Sequence, residues 1–101
     1  MPASRFRLPA EILKDSRGLY KRSSSFFILR ARPNGLKHPR FAAIVGAKVD
    51  RRSSVRNKLK RRIREFLRTK PDPRDLIVTV LPPAAKAPQK TFMKELEQIL
   101  S

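Results

Sequence analysis

The sequence predicts an α/β (α+β) two-layer sandwich, a small mixed sheet packed against helices, formed by residues 1–101 as a single domain. Three observations carry this. Two segments, 26–32 and 40–48, alternate apolar and polar residues with the period of a strand. Two others, 55–69 and 91–100, repeat apolar residues with the period of a helix. Between them, Asp75–Leu81 is apolar on both sides, as a central strand is. The element order read from these is αββαβα.

The first element is a short helix. Pro9 suits its first turn, Leu8, Ile12 and Leu13 are its apolar residues, and Gly18 follows Arg17 as its stop. The first strand, Phe26–Arg32, sets Phe27, Leu29 and Ala31 on one face and Phe26, Ile28, Arg30 and Arg32 on the other. Pro33-Asn34-Gly35 reads as a turn, since proline presets φ and glycine accepts positive φ. The next strand, Arg40–Lys48, alternates Phe41, Ala43, Val45 and Ala47, and the two strands read as an antiparallel hairpin. Ser53 or Ser54 is the expected cap of a helix over 55–69, and Pro71-Asp72-Pro73 ends it. After the third strand, Pro82–Pro88 reads as a loop of polyproline character. A last helix then opens at Thr91 with Phe92, Met93, Leu96, Ile99 and Leu100 on its apolar side.

Charge is the strongest functional signal. The 101 residues carry 25 lysines and arginines against 8 acids, a formal net charge of +17. Such a chain repels itself and calls for a polyanionic partner. The absence of cysteine excludes disulfides, zinc–cysteine sites and thiol nucleophiles, and fits a reducing cytoplasm. No apolar run nears the ~18 residues of a membrane span, and the N-terminal residues lack the apolar stretch of a secretory signal. His38 stands alone in a loop, the carboxylates form no pair, and no Gly-rich phosphate loop is present. No acid–base set of the protein's own is therefore expected, and no catalytic or metal-binding residue is assigned.

The cations concentrate in residues 51–64, which hold eight lysines or arginines and no acid. At ~100° per residue, Val55, Leu59, Ile63, Phe66 and Leu67 fall on one side of the helix, and Asn57, Lys60, Arg61, Arg64 and Arg68 on the other. The segment thus has a core face and is no disordered tail. A merely solvated face usually alternates signs, because Glu–Lys pairs support a helix. Here Glu65 is the only acid between Arg51 and Lys70. Arginine forks suit phosphate oxygens. Arg56 within the helix, and Lys48, Arg51 and Arg52 just before it, complete the candidate RNA-binding set. Strands flank the helix on both sides, which disfavours a helix-turn-helix and favours RNA.

The run from Lys48 to Glu65 resembles the signature of the protein subunit of bacterial ribonuclease P: Arg56-Asn57, then Lys60-Arg61, then Arg64-Glu65. The resemblance implies an αββ(β)αβα order with a left-handed βαβ crossover, where the general rule gives a right-handed one. It implies an accessory subunit that binds ribonuclease P RNA and the 5′ leader of precursor tRNA and assists endonucleolytic 5′ maturation in the cytoplasm. The RNA carries the chemistry and its Mg2+, with no membrane and no obligate protein partner. By position, Arg56, Asn57, Lys60, Arg61 and Arg64 take the helix role. Ile28 and Arg30 on the sheet, with Leu13 and Arg17 on the first helix, take the leader. The family commonly has alanine and an apolar residue where this chain has Ser53 and Ser54, and aromatics on the first helix where this chain has Leu13 and Arg17. The competing readings are a small basic ribosomal or RNA-chaperone protein and a basic peripheral membrane protein.

Overall fold

The computed structural model describes Leu8, residues 18–70 and residues 73–100. The expected first helix, with Leu13 and Arg17, lies outside the described residues. The elements are β1 (Tyr20–Ser23), β2 (Phe27–Pro33), β3 (Arg40–Val45), α1 (Ser53–Arg68), β4 (Arg74–Val80), α2 (Pro82–Ala85) and α3 (Gln89–Leu100).

The strands form one sheet in the order β1-β2-β4-β3. β1 and β4 each pair antiparallel with β2, and β3 pairs parallel with β4. The sheet is mixed, as expected, but the expected hairpin of 26–32 with 40–48 does not exist. β4 lies between those strands, because its apolar residues on both faces are best buried with a neighbour on each side. The true hairpin is β1–β2. Its turn is built by Ser24, whose Oγ accepts the N–H groups of Phe26 and Phe27 at 3.3 and 3.2 Å, while its own N–H donates to Phe27 O at 2.8 Å. The optional third strand before the basic helix is this β1. Every one of its four residues is exposed, so it carries no burial pattern for a sequence reading to find.

Phe27, Leu29 and Ala31 of β2 are fully buried and meet Phe41, Val45, Leu76, Val78 and Val80 from the other strands. Leu59, Ile63 and Leu67 of α1 and Phe92, Leu96 and Ile99 of α3 complete this core. Both helices therefore pack on one face of the sheet, giving the two-layer sandwich. Phe27 and Phe92 meet edge to face at 5.1 Å, the arrangement the ring quadrupole favours.

Several boundaries differ from expectation. Helix α1 starts at Ser53, so neither serine caps it; Arg52 holds the cap position with no side-chain hydrogen bond to the helix. β3 ends at Val45, because Val49 N–H turns back to Gly46 O at 3.1 Å. The expected polyproline loop contains α2, with prolines in its first turn, where a missing N–H costs nothing. α3 starts at Gln89 rather than Thr91. Pro33, expected to open a turn, is the last residue of β2, and the chain turns just after it: Gly35 has φ of 71°, and Asn34 Oδ1 accepts the Leu36 N–H at 2.8 Å.

Candidate nucleic-acid interface

Helix α1 is oriented by its apolar side. Leu59, Ile63 and Leu67 are buried, and Val55 and Phe66 are half-buried against the same core. That fixes the opposite side. Asn57, Arg61, Arg64 and Arg68 are exposed and lie on one stripe, with Lys60 half-buried beside it. From Asn57 to Arg68 the stripe runs ~16 Å at 1.5 Å per residue. The side chains of Asn57, Lys60, Arg61 and Arg64 make no hydrogen bond or ion pair to any described residue. Their donors are held outward, unspent and rigidly spaced.

The start of the helix is arranged differently. Asp50 Oδ1 accepts the backbone N–H of Arg52 at 2.8 Å and its Nε at 3.1 Å, and Oδ2 accepts Nη2 at 3.0 Å. These hydrogen bonds to Arg52 hold the Asp50 carboxyl down at a pKa of about 2. Arg56, half-buried, turns Nη1 back onto the carbonyls of Asp50 and Arg51, each at 3.3 Å. Its role in the free protein is thus to close the loop into the helix. Lys48 and Arg51 are exposed, and with Ala47, Val49, Asp50 and Arg52 they line a shallow depression.

Arg62 is a cation of a different kind. Its guanidinium lies over the Phe92 ring at 5.4 Å, tying α1 to α3 by a cation–π contact. Lys70 lies over Phe66 at 4.7 Å.

On the sheet face away from the helices, Arg30 is exposed and Ile28 half-buried, as their phase requires. The register sets Lys21 directly opposite Arg30. Sequence reasoning missed Lys21, since only the pairing of β1, invisible in its composition, puts it there. Across the same face Ser23, Ile28, Thr79 and Ile44 fall in one row. His38 is half-buried, its Nδ1 3.1 Å from Pro39 O. Among the described residues no three histidines or carboxylates gather as a metal site, and no helix is long and apolar enough to cross a membrane. Among the described residues the arrangement offers fixed cations and open hydrogen-bond donors of the kind that suits phosphate oxygens.

Comparison with known proteins gives the same answer from a separate direction. The family model described as Ribonuclease P matches residues 3–101. The chain is 42% identical over 74 residues to the ribonuclease P protein component of Chromobacterium violaceum, covering 67% of this chain and 61% of that protein. To the component from Synechocystis it is 38% identical over 69 residues, covering 63% and 55%. The alignments thus span about three fifths of those relatives. Among solved structures, a Staphylococcus aureus RNase P protein mutant superposes with a TM-score of 0.85 at 22% identity, covering 98% of this chain and 88% of that one. The Thermotoga maritima RNase P protein gives 0.74 at 23% identity, covering 92% and 94%. At those identities the structures speak to the fold alone, and the fold agrees. With a family model spanning nearly every residue, and Asn57, Arg61 and Arg64 of the signature on the exposed side of a helix, the chain belongs to the ribonuclease P protein family.

Proposed function

We propose that this chain is the protein subunit of ribonuclease P, which binds the catalytic RNA through α1 and assists cleavage of the 5′ leader from precursor tRNA. The observation that supports this most is the stripe of Asn57, Lys60, Arg61 and Arg64. These groups are held off the core by Leu59, Ile63 and Leu67 and have no partner among the described residues. Like charges crowded on one helix face destabilise the free helix and are relieved by a phosphate backbone. Arg68, Lys48 and Arg51 extend the contact. Arg30, Ile28 and the newly placed Lys21 offer a second, cationic track, for the leader; Leu13 and Arg17 belong to that proposal by position in the sequence alone.

The chemistry belongs to the RNA in this reading, and so does its Mg2+. Asp50, the carboxylate beside the stripe, is engaged by Arg52. What the protein does is position: it neutralises phosphates, so that fewer magnesium ions are needed to hold RNA and substrate together. Residues 1–101 would act as one domain in the cytoplasm.

Reconstitution with a bacterial ribonuclease P RNA tests the proposal. Precursor tRNA cleavage at limiting magnesium should rise on adding the protein, and the protein alone should cleave nothing. Binding to that RNA no tighter than to an unrelated RNA, with no gain in cleavage, would return the chain to a general RNA-binding role.

A further inference from the structure

We propose that Asp50 sets the RNA selectivity of this surface by competing with phosphate for the fork of Arg52. The inference rests on the reading of α1 as the RNA-binding element and concerns a residue outside the Arg56–Glu65 signature.

The two ends of the basic segment are prepared differently. Along the helix, Asn57, Arg61 and Arg64 are free for a ligand. At its start, Arg52 and Arg56 are engaged by the chain itself. Arg52 gives Nε, Nη2 and its backbone N–H to the Asp50 carboxylate at 3.1, 3.0 and 2.8 Å. Arg56 gives Nη1 to the carbonyls of Asp50 and Arg51. A carboxylate engages a guanidinium through the same pair of parallel N–H groups as a phosphate does, so Asp50 fills the place a phosphate oxygen pair would take.

The pair is open to competition. The Arg52 side chain remains 74% exposed while paired, whereas that of Asp50 is 18% exposed. A phosphate can approach Arg52, but to take the Nε–Nη2 edge of its fork it must displace a carboxylate that the backbone N–H of Arg52 holds in place. A flexible polyanion touching Arg52 alone exchanges one ion pair for another and gains little. A structured RNA that already engages the free stripe brings its phosphate to Arg52 as an intramolecular neighbour and can win the exchange. Asp50 therefore lowers affinity for arbitrary RNA more than for an RNA shaped to the whole face.

The test compares the full chain with Asp50→Asn, Arg52→Ala and the double variant, each titrated with poly(U) and with a bacterial ribonuclease P RNA over a range of salt. Asparagine keeps the oxygen that accepts the Arg52 N–H, so the turn is retained. Glu97→Gln on the exposed side of α3 makes the same charge change elsewhere. Asp50→Asn should bind poly(U) roughly two- to fivefold tighter, the worth of one released exposed ion pair. Its log–log salt slope should steepen by about 0.7, one more phosphate on a single strand. Affinity for the ribonuclease P RNA should change by less than that. The gain should vanish when Arg52 is alanine. No gain, a gain that persists without Arg52, or an equal gain from Glu97→Gln would overturn the inference. A wild-type chain that binds both RNAs alike would instead overturn the functional reading on which it rests.

Discussion

Arg40 and Asp75 face each other across the parallel β3–β4 pair and are joined by two hydrogen bonds, Nε to Oδ1 at 2.8 Å and Nη2 to Oδ2 at 2.9 Å. Asp75 is only 1% exposed. On its other side, in β2, its register partner is Arg32, whose Nε lies 3.6 Å from Oδ2. Asn34 Nδ2 adds a donor to Oδ1 at 3.2 Å. One carboxylate on the central strand thus fastens the strands on either side of it. The same contact raises the pKa of Arg40 through its hydrogen bonds to Asp75.

A buried charge stripped of its partner costs more than the pair contributes. Arg40→Ala should therefore destabilise the fold by ~3 kcal/mol, the low end for breaking a buried pair, because Arg32 and Asn34 stay in place. Arg32→Ala should cost less, since its contact is longer. Urea midpoints of the two variants decide this; an equal or larger loss for Arg32→Ala would assign the main pairing to the wrong strand.

What could be read from the sequence follows from how local its cause is. The core side of β2 and both sides of α1 are set by residues within a few positions of each other, and Phe27, Leu29, Ile63 and Arg61 stand where their phase puts them. The doubly apolar 75–81 segment was legible as the centre of the sheet. The Arg40–Asp75 pair joins residues 35 positions apart, so Asp75 reads in the sequence as one more scattered acid. The order of β2, β4 and β3 was misread for the same reason: a medium loop between two alternating segments looks like a hairpin, and only competition for the sheet centre rules it out. At the candidate site, the outward stripe was legible from helical phase. The engagement of Arg52 and Arg56 was not, because it depends on where β3 ends and on a loop that folds back.

Ile63 anchors the stripe from beneath. It is fully buried among strand and helix residues, so Ile63→Ala should cost ~2–5 kcal/mol of stability. At a temperature where the variant remains folded, its affinity for RNA should be close to that of the wild type. Thermal melts and binding measured on the same sample separate the two effects. Affinity falling at full foldedness would mean that Ile63 holds the cations in register rather than merely holding the helix.

The Asp50–Arg52 pair gives a pH dependence of definite sign. The folded pKa of Asp50, about 2, lies below its ordinary 3.8. The pair's contribution is therefore complete above about pH 4 and is lost as pH falls from there toward 2. Melting midpoints of wild type and Asp50→Asn should run parallel from pH 7 to pH 5 and converge only in acid. Convergence already near pH 6 would show that some other group carries the difference.

Salt dependence tests the electrostatic reading as a whole. If the stripe and its flanks neutralise ~5 phosphates, the log–log slope for RNA binding should be around −4. A slope near zero would leave the cations without a role in binding. Vesicle binding that survives excess RNA would favour a membrane surface as the polyanion instead.

The sharpest prediction separates the ordered stripe from diffuse charge. Arg61→Ala and Arg64→Ala each delete a fork from the side of α1 opposite Leu59 and Ile63, so circular dichroism should stay native. Each should weaken binding to ribonuclease P RNA by ~1–3 kcal/mol if it makes a charge-assisted contact. Arg61→Lys should recover only part of that, because an ammonium keeps the charge and loses the planar fork. The comparison needs a cation of equal charge that the fold does not use. By sequence Arg74, just past the Pro71–Pro73 stop, fits that part, but the structure disqualifies it. Its Nη1 donates to the Tyr20 hydroxyl and its Nη2 to Leu100 O at 2.9 Å, tying β1 and the end of α3 to the central strand. Arg74→Ala would lower stability and so confuse the reading. Lys94, exposed on α3, is the better control. If Lys94→Ala weakens assembly as much as Arg61→Ala, what binds the RNA is net charge spread over the surface. A loss confined to Arg61 and Arg64 would mean that the RNA reads the geometry which Leu59, Ile63 and Leu67 impose on the other side of the helix.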